Sequence, residues 1–213
     1  DFWLIRGGIM SKFSKDWEGS GRSGIKGVLK PEKPLRPRIE HAIRRIETQG
    51  QSIESAINRF KERDKSLFSK LVDSYSRHDM QRANTYANEL AEIRKMASFL
   101  MNAKLALERV ILRLSTITQL GNAAVTLAPA VKVLQSVRTG IAGILPNADQ
   151  ELGAIAQLLD EIMIESGQTA GVGFDFEAAS EDAQKILEEA GVVAEQRMKE
   201  RFPEIPQATS TTV

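Results

Sequence analysis

The residues best equipped for chemistry stand together in YSRHDMQRANTYANEL, residues 75 to 90, where His78 and Asp79 lie between Arg77 and Arg82. An imidazole beside a carboxylate is a pairing used in general-base catalysis, and both groups ligate metals. A metal would need further ligands. The chain has no cysteine, which excludes thiolate ligands, cysteine nucleophiles and disulfides, and its other histidine, His41, is 37 positions away. Along a helix that separation is roughly 55 Å at 1.5 Å per residue, so the two imidazoles cannot meet within one chain. Asp79 is a good helix N-cap, and His78 falls where an apolar repeat stops, so the pair reads as a hairpin tip.

Other motifs with catalytic overtones are weaker. The glycines of AGVGF and SGRSGIKG lack the Lys-Ser/Thr that follows a phosphate-binding loop, and neither lies between a strand and a helix. The paired carboxylates Glu188 and Glu189 read as a solvated face of a long helix. No catalytic residue, metal or cofactor is expected.

The elements that position these residues are helical. Ile39, Ile46, Ile53, Phe60 and Leu67 recur every seven residues, with Ile43, Ile57 and Leu71 at a second apolar position. Tyr86, Ile93, Leu100, Leu107 and Leu114 repeat with the same period, accompanied by Leu90, Ala97 and Ile111. Each series writes an apolar seam on a helix of about 35 to 40 residues, and the nearest partner for each is the other, folded back antiparallel. The spacing predicts an all-α protein: a long antiparallel helical hairpin followed by shorter helices. Pro129 is expected to kink or break the third segment, residues 122 to 145, and Asn147 to cap a fourth helix running to about Ser166. The organisation is a basic arm at 1–38, a helical core at 39–166, a linker at 167–176, an acidic fifth helix at 177–201 and a proline-containing tail at 202–213. The chain opens on Asp1, and the internal Met10 would make a plausible start. No apolar run approaches the roughly 18 residues needed to span a bilayer and no signal peptide is recognisable, which predicts a cytoplasmic chain.

Hydrophobic residues make up 42% of the chain and aromatic ones 6%, so the core must be aliphatic. The formal net charge is only +1, yet residues 1–100 carry 20 Lys and Arg against 13 Asp and Glu, while residues 101–213 carry 9 against 15. The basic groups Lys12, Lys15, Arg22, Lys26, Lys30, Arg38, Arg44 and Arg45, with the apolar cluster Phe2, Trp3, Leu4 and Ile5, form a candidate surface for anionic membrane. DNA backbone attracts the same cations, which makes a basic coiled-coil nucleic-acid-binding protein the alternative; the apolar cluster and the acidic C-terminal third weigh against it. In the tail, Phe202, Pro203, Glu204, Ile205 and Pro206 suit an extended peptide offered to a groove on another protein.

Three segments together carry a resemblance: LRPRIEHAIRRIE at the start of the first helix, FKERDKSLFSKLVDSYSRHDMQRANTYANELAEIRKM across the hairpin tip, and ILEEAGVVAEQRMKERFPEIP near the end. Over about residues 30 to 206 the chain resembles the ESCRT-III (Snf7) family, most closely its archaeal Cdv-type cell-division members. The resemblance implies a non-enzymatic subunit that forms homopolymers, and mixed polymers with other ESCRT-III-like paralogues, on anionic lipid at the inner face of the cell membrane. It also implies that the tail residues Phe202 to Pro206 bind the MIT domain of an AAA+ ATPase that extracts subunits. The chain ends too soon for the C-terminal winged-helix domain of some members, so it resembles the shorter paralogues, with a role in constriction and scission at the division site.

Overall fold

The computed structural model describes residues 34–120, 127–166 and 176–202. The expected seams become two long helices, α1 (Leu35–Ser76) and α2 (Met80–Leu120), packed against each other as an antiparallel hairpin. On α1, Ile39, Ile43, Ile46, Ile53, Ile57 and Leu67 are buried; on α2, Leu90, Ile93, Ala97, Leu100, Leu107 and Leu114 are buried. Phe60, Leu71, Tyr86 and Ile111 close the edges of the seam as partly buried groups. Among the described residues there is no strand.

Three shorter helices follow, α3 (Ala128–Ile141), α4 (Pro146–Glu165) and α5 (Phe176–Arg201). They fold back on the open half of the hairpin, α3 and α5 on α2 and α4 on α1, with α3 also touching α4 and α5. This is why α2 is buried beyond a simple seam: Met101, Ala103, Leu105, Ala106 and Val110 are shielded as well. One large cluster therefore fills the open half, while Leu67, Leu90 and Ile93 form a separate small one near the tip.

Prolines mark helix starts rather than interruptions. Helix α1 begins at Leu35, so Leu35 to Arg38, read from sequence with the arm, are helical; Leu35 is buried and Pro37 sits in the first turn. Pro129 neither kinks nor breaks α3; it lies within the first two positions of a helix that starts at Ala128. Likewise α4 starts at Pro146 after Leu145, and Asn147 makes no capping bond. A proline lacks the N–H that the first turn leaves without an intrahelical acceptor, so there its ring costs nothing.

The hairpin tip closes as its sequence implies. The His78 N–H donates to the Tyr75 carbonyl at 3.0 Å and the Asp79 N–H to the Ser74 carbonyl at 3.0 Å, the bond pair of a Schellman turn. Asp79 then caps α2, its Oδ1 accepting the Arg82 N–H at 3.1 Å. The turn requires a left-handed residue, and His78 supplies it with φ 57°. Glycine normally fills that place because a Cβ is strained there. His78→Gly is therefore expected to raise stability by about 1 kcal/mol, or roughly 2–4 °C in Tm. A lower melting temperature in the variant would mean that the imidazole earns its place through contacts outweighing the strain.

Candidate functional surfaces

Of the predicted membrane-binding residues, Phe2, Trp3, Leu4, Ile5, Lys12, Lys15, Arg22, Lys26 and Lys30 lie outside the described residues, as do Pro203, Glu204, Ile205 and Pro206 of the tail motif. Arg38, Arg44 and Arg45 are described, and the fold separates them. Arg38 and Arg45 are seven positions apart and flank the α1 seam on the side that α4 covers. Arg38 donates to Glu165 and lies 3.7 Å from Glu161; Arg45 donates to Glu151 at 2.7 Å. Arg38 retains only 16% of its side-chain exposure. Arg44 is exposed.

The acidic C-terminal third finds its charge partners in the hairpin. On α5, Asp182 lies 3.3 Å from Arg113 and Glu189 lies 3.2 Å from Arg109, both on α2. At the far end of α5, Arg201 donates to Glu54 of α1 at 2.8 Å, and Glu54 also lies 3.0 Å from Lys104 of α2. Phe202 continues the last turn, its N–H donating to the Met198 carbonyl at 2.8 Å, and it is buried. The first residue of the tail motif is thus held against the protein. Helices α3 and α4 are joined by Arg138, whose Nε donates to the Asp149 carboxylate at 2.8 Å. The guanidinium lies over Gly153, where a Cβ would stand 2.8 Å from the Arg138 Cζ.

Burial pushes the Glu54 carboxyl up, but the hydrogen bonds from Arg201 and Lys104, together with both positive charges, outweigh burial and hold it below its ordinary value of 4.5. A carboxyl group whose folded pKa is depressed adds stability above its unfolded pKa and loses that stability as pH falls through the folded value. Acidification below about pH 4.5 is thus expected to loosen the end of α5, read as falling amide protection at residues 195–201. Glu54→Gln should show weak protection there already at neutral pH. Equal protection in wild type and variant at pH 7 would exclude this ionic clamp.

The sequence reading missed the pairing of Asp64 with Arg94. Asp64 is buried within the α1 seam, seven residues after Ile57 and seven before Leu71, and accepts two bonds from Arg94 of α2 at 2.6 and 3.1 Å. The signal was available: a charged residue at a heptad core position demands a partner across the seam. His41 and His78 are both exposed, near opposite ends of α1. Among the described residues no group of three His, Asp or Glu side chains is arranged for a metal, and no helix is long and apolar enough to cross a membrane.

These features define an all-α protein of ESCRT-III-like build, a long helical hairpin whose acidic return helices are ion-paired to its basic faces. No family model and no solved structure matches the chain. Curated relatives do, among them two from Sulfolobus acidocaldarius. Cell division protein B1 is 42% identical over 203 residues, spanning 95% of this chain and 94% of the relative. Cell division protein B is 35% identical over 166 residues, spanning 78% of this chain and 64% of the relative. The chain belongs to the cell division protein B family and has a role in cell division.

Proposed function

We propose that the chain is a non-enzymatic, ESCRT-III-type filament subunit that assembles on anionic membrane to constrict and cut it during division. The observation that carries this reading is the near full-length relationship to cell division protein B1, a match that spans both the hairpin and its return helices. Basic groups contribute about 1 kcal/mol each at an anionic surface, so a handful acting together hold a chain there. Arg44 is free to face lipid in the closed form, and release of α4 would add Arg38 and Arg45 on the neighbouring flank of α1. The partners under this reading are further copies of the chain, its paralogues, and an AAA+ ATPase whose MIT domain takes Phe202 to Pro206. Burial of Phe202 implies that the end of α5 must lift before the whole motif can be engaged.

Electron microscopy of the purified chain with anionic and neutral vesicles, at low and high salt, tests the proposal. Ordered filaments or tubules on anionic vesicles that weaken with salt are expected. Bare vesicles throughout, with tight DNA binding in the same buffer, would replace it with the nucleic-acid reading. For the tail, Pro203→Ala combined with Pro206→Ala should abolish MIT-domain capture; undiminished capture would remove that role.

A further inference from the structure

The closed end of the hairpin contains a polar cavity of about 180 Å³ that neither the apolar seam nor the ion pairs explain. Lys70, Asp73 and Ser74 of α1 line it together with Arg77 and Asp79 of the turn, and Arg82 and Tyr86 of α2 face them. Ser74 is 8% exposed, and its hydroxyl makes no hydrogen bond within the described residues. Elsewhere the helical hydroxyls of Thr48, Ser55, Ser76, Thr85, Thr116 and Thr139 each donate to the carbonyl four residues earlier. That local bond is the usual outlet for a hydroxyl on a helix, and Ser74 does not take it. The Ser74 hydroxyl keeps access to the cavity and its solvent, so its donor is open to a molecule that enters there.

The charges around it indicate what that is. Asp79 caps α2 and lies 3.3 Å from Arg82, so both are committed to the turn. Lys70 and Arg77 make no ion pair among the described residues, whereas the positive end of the α2 dipole is already met by the Asp79 carboxylate. Two uncommitted cations and a hydroxyl donor select an anion, and a guanidinium suits phosphate in particular. Asp73, also without an ion pair, is a poor neighbour for a bare phosphate but a good acceptor for a hydroxyl beside one.

We propose that the hairpin-tip cavity binds a phosphate ester that carries a free hydroxyl. Arg77 and Lys70 hold the phosphate, Ser74 donates to it, and Asp73 accepts from the hydroxyl. A lipid headgroup and a free polyol phosphate share this chemistry. Only the lipid source rests on the membrane reading above.

The test follows backbone amide resonances of the full chain during titration with glycerol phosphate and, separately, inorganic phosphate. Saturable shifts at residues 74–82 are expected, with affinity roughly tenfold weaker in Arg77→Gln and Ser74→Ala, the scale of one hydrogen bond to a charged group. Asp73→Asn should erase the preference for glycerol phosphate over inorganic phosphate. Absence of shifts at the tip, or equal affinity in wild type, Arg77→Gln and Ser74→Ala, would overturn the site. Because Ser74 makes no bond to lose, Ser74→Ala should fold normally and keeps the test decisive if Arg77→Gln perturbs the turn. Co-sedimentation with phosphatidylglycerol vesicles separates the sources. Weaker binding by Arg77→Gln assigns the lipid headgroup, whereas equal binding assigns a free polyol phosphate. Tip shifts without any vesicle binding would sink the membrane reading and leave the site standing.

Discussion

Arg94→Ala is expected to destabilise the protein by about 3–5 kcal/mol, the cost of leaving a buried carboxylate without its counter-ion. Asp64 keeps only 8% of its side-chain exposure, and both of its oxygens are taken by the Arg94 guanidinium in a two-pronged bond. Truncation removes the partner while the charge stays in the seam. Chemical denaturation at pH 7 measures the loss, and amide exchange should place it in the tip half of the hairpin, where only the small Leu67, Leu90 and Ile93 cluster supports the pair. Replacing both partners, Asp64→Leu with Arg94→Leu, should recover most of that stability, because the penalty comes from the orphaned charge and not from the lost attraction. The pair then has a second use. A seven-residue slip between the two seams would still leave apolar face on apolar face while separating Asp64 from Arg94, so the pair helps to specify the register. A loss below about 1 kcal/mol in Arg94→Ala would mean that Asp64 reaches water, and the register role would fall with it.

Leu107→Ala should produce a loss of comparable size, about 2–5 kcal/mol. Leu107 is fully buried in the main cluster on α2, the helix on which α1, α3 and α5 all pack. Its side chain cannot be replaced by the movement of one neighbour, since several elements would have to shift together, and a cavity remains. Leu112, five residues on, is 61% exposed on the same helix. Leu112→Ala should change stability by no more than about 0.5 kcal/mol. The contrast is read by parallel thermal and denaturant unfolding of the two variants. Similar losses in both would show that the return helices do not cover α2 as described.

Much of this architecture was legible in residue order. The two heptad series located the hairpin, because a residue's place on a helix face depends only on its distance along the chain from its neighbours, and burying a seven-residue seam requires a second seam. Asp79 declared the start of α2 through its own side chain, a bond to a donor three residues away. Short-range geometry of this kind survives in sequence.

What only the folded molecule decided is long-range. Acidic return helices were apparent from composition, but whether they hung free or lay on the hairpin depended on a sum of burial and pairing over five helices. Arg38 and Arg45, read as lipid contacts alongside Arg44, turned out to face Glu165 and Glu151, more than a hundred residues further along the chain. No local pattern encodes such a meeting. The same holds for Asp64, whose odd place in the seam was visible but whose partner Arg94 is chosen by the register of two helices. Helix faces are written by neighbours a few residues apart; which faces meet, and which charges are thereby buried in ion pairs or left to solvent, is settled only when the whole chain has packed.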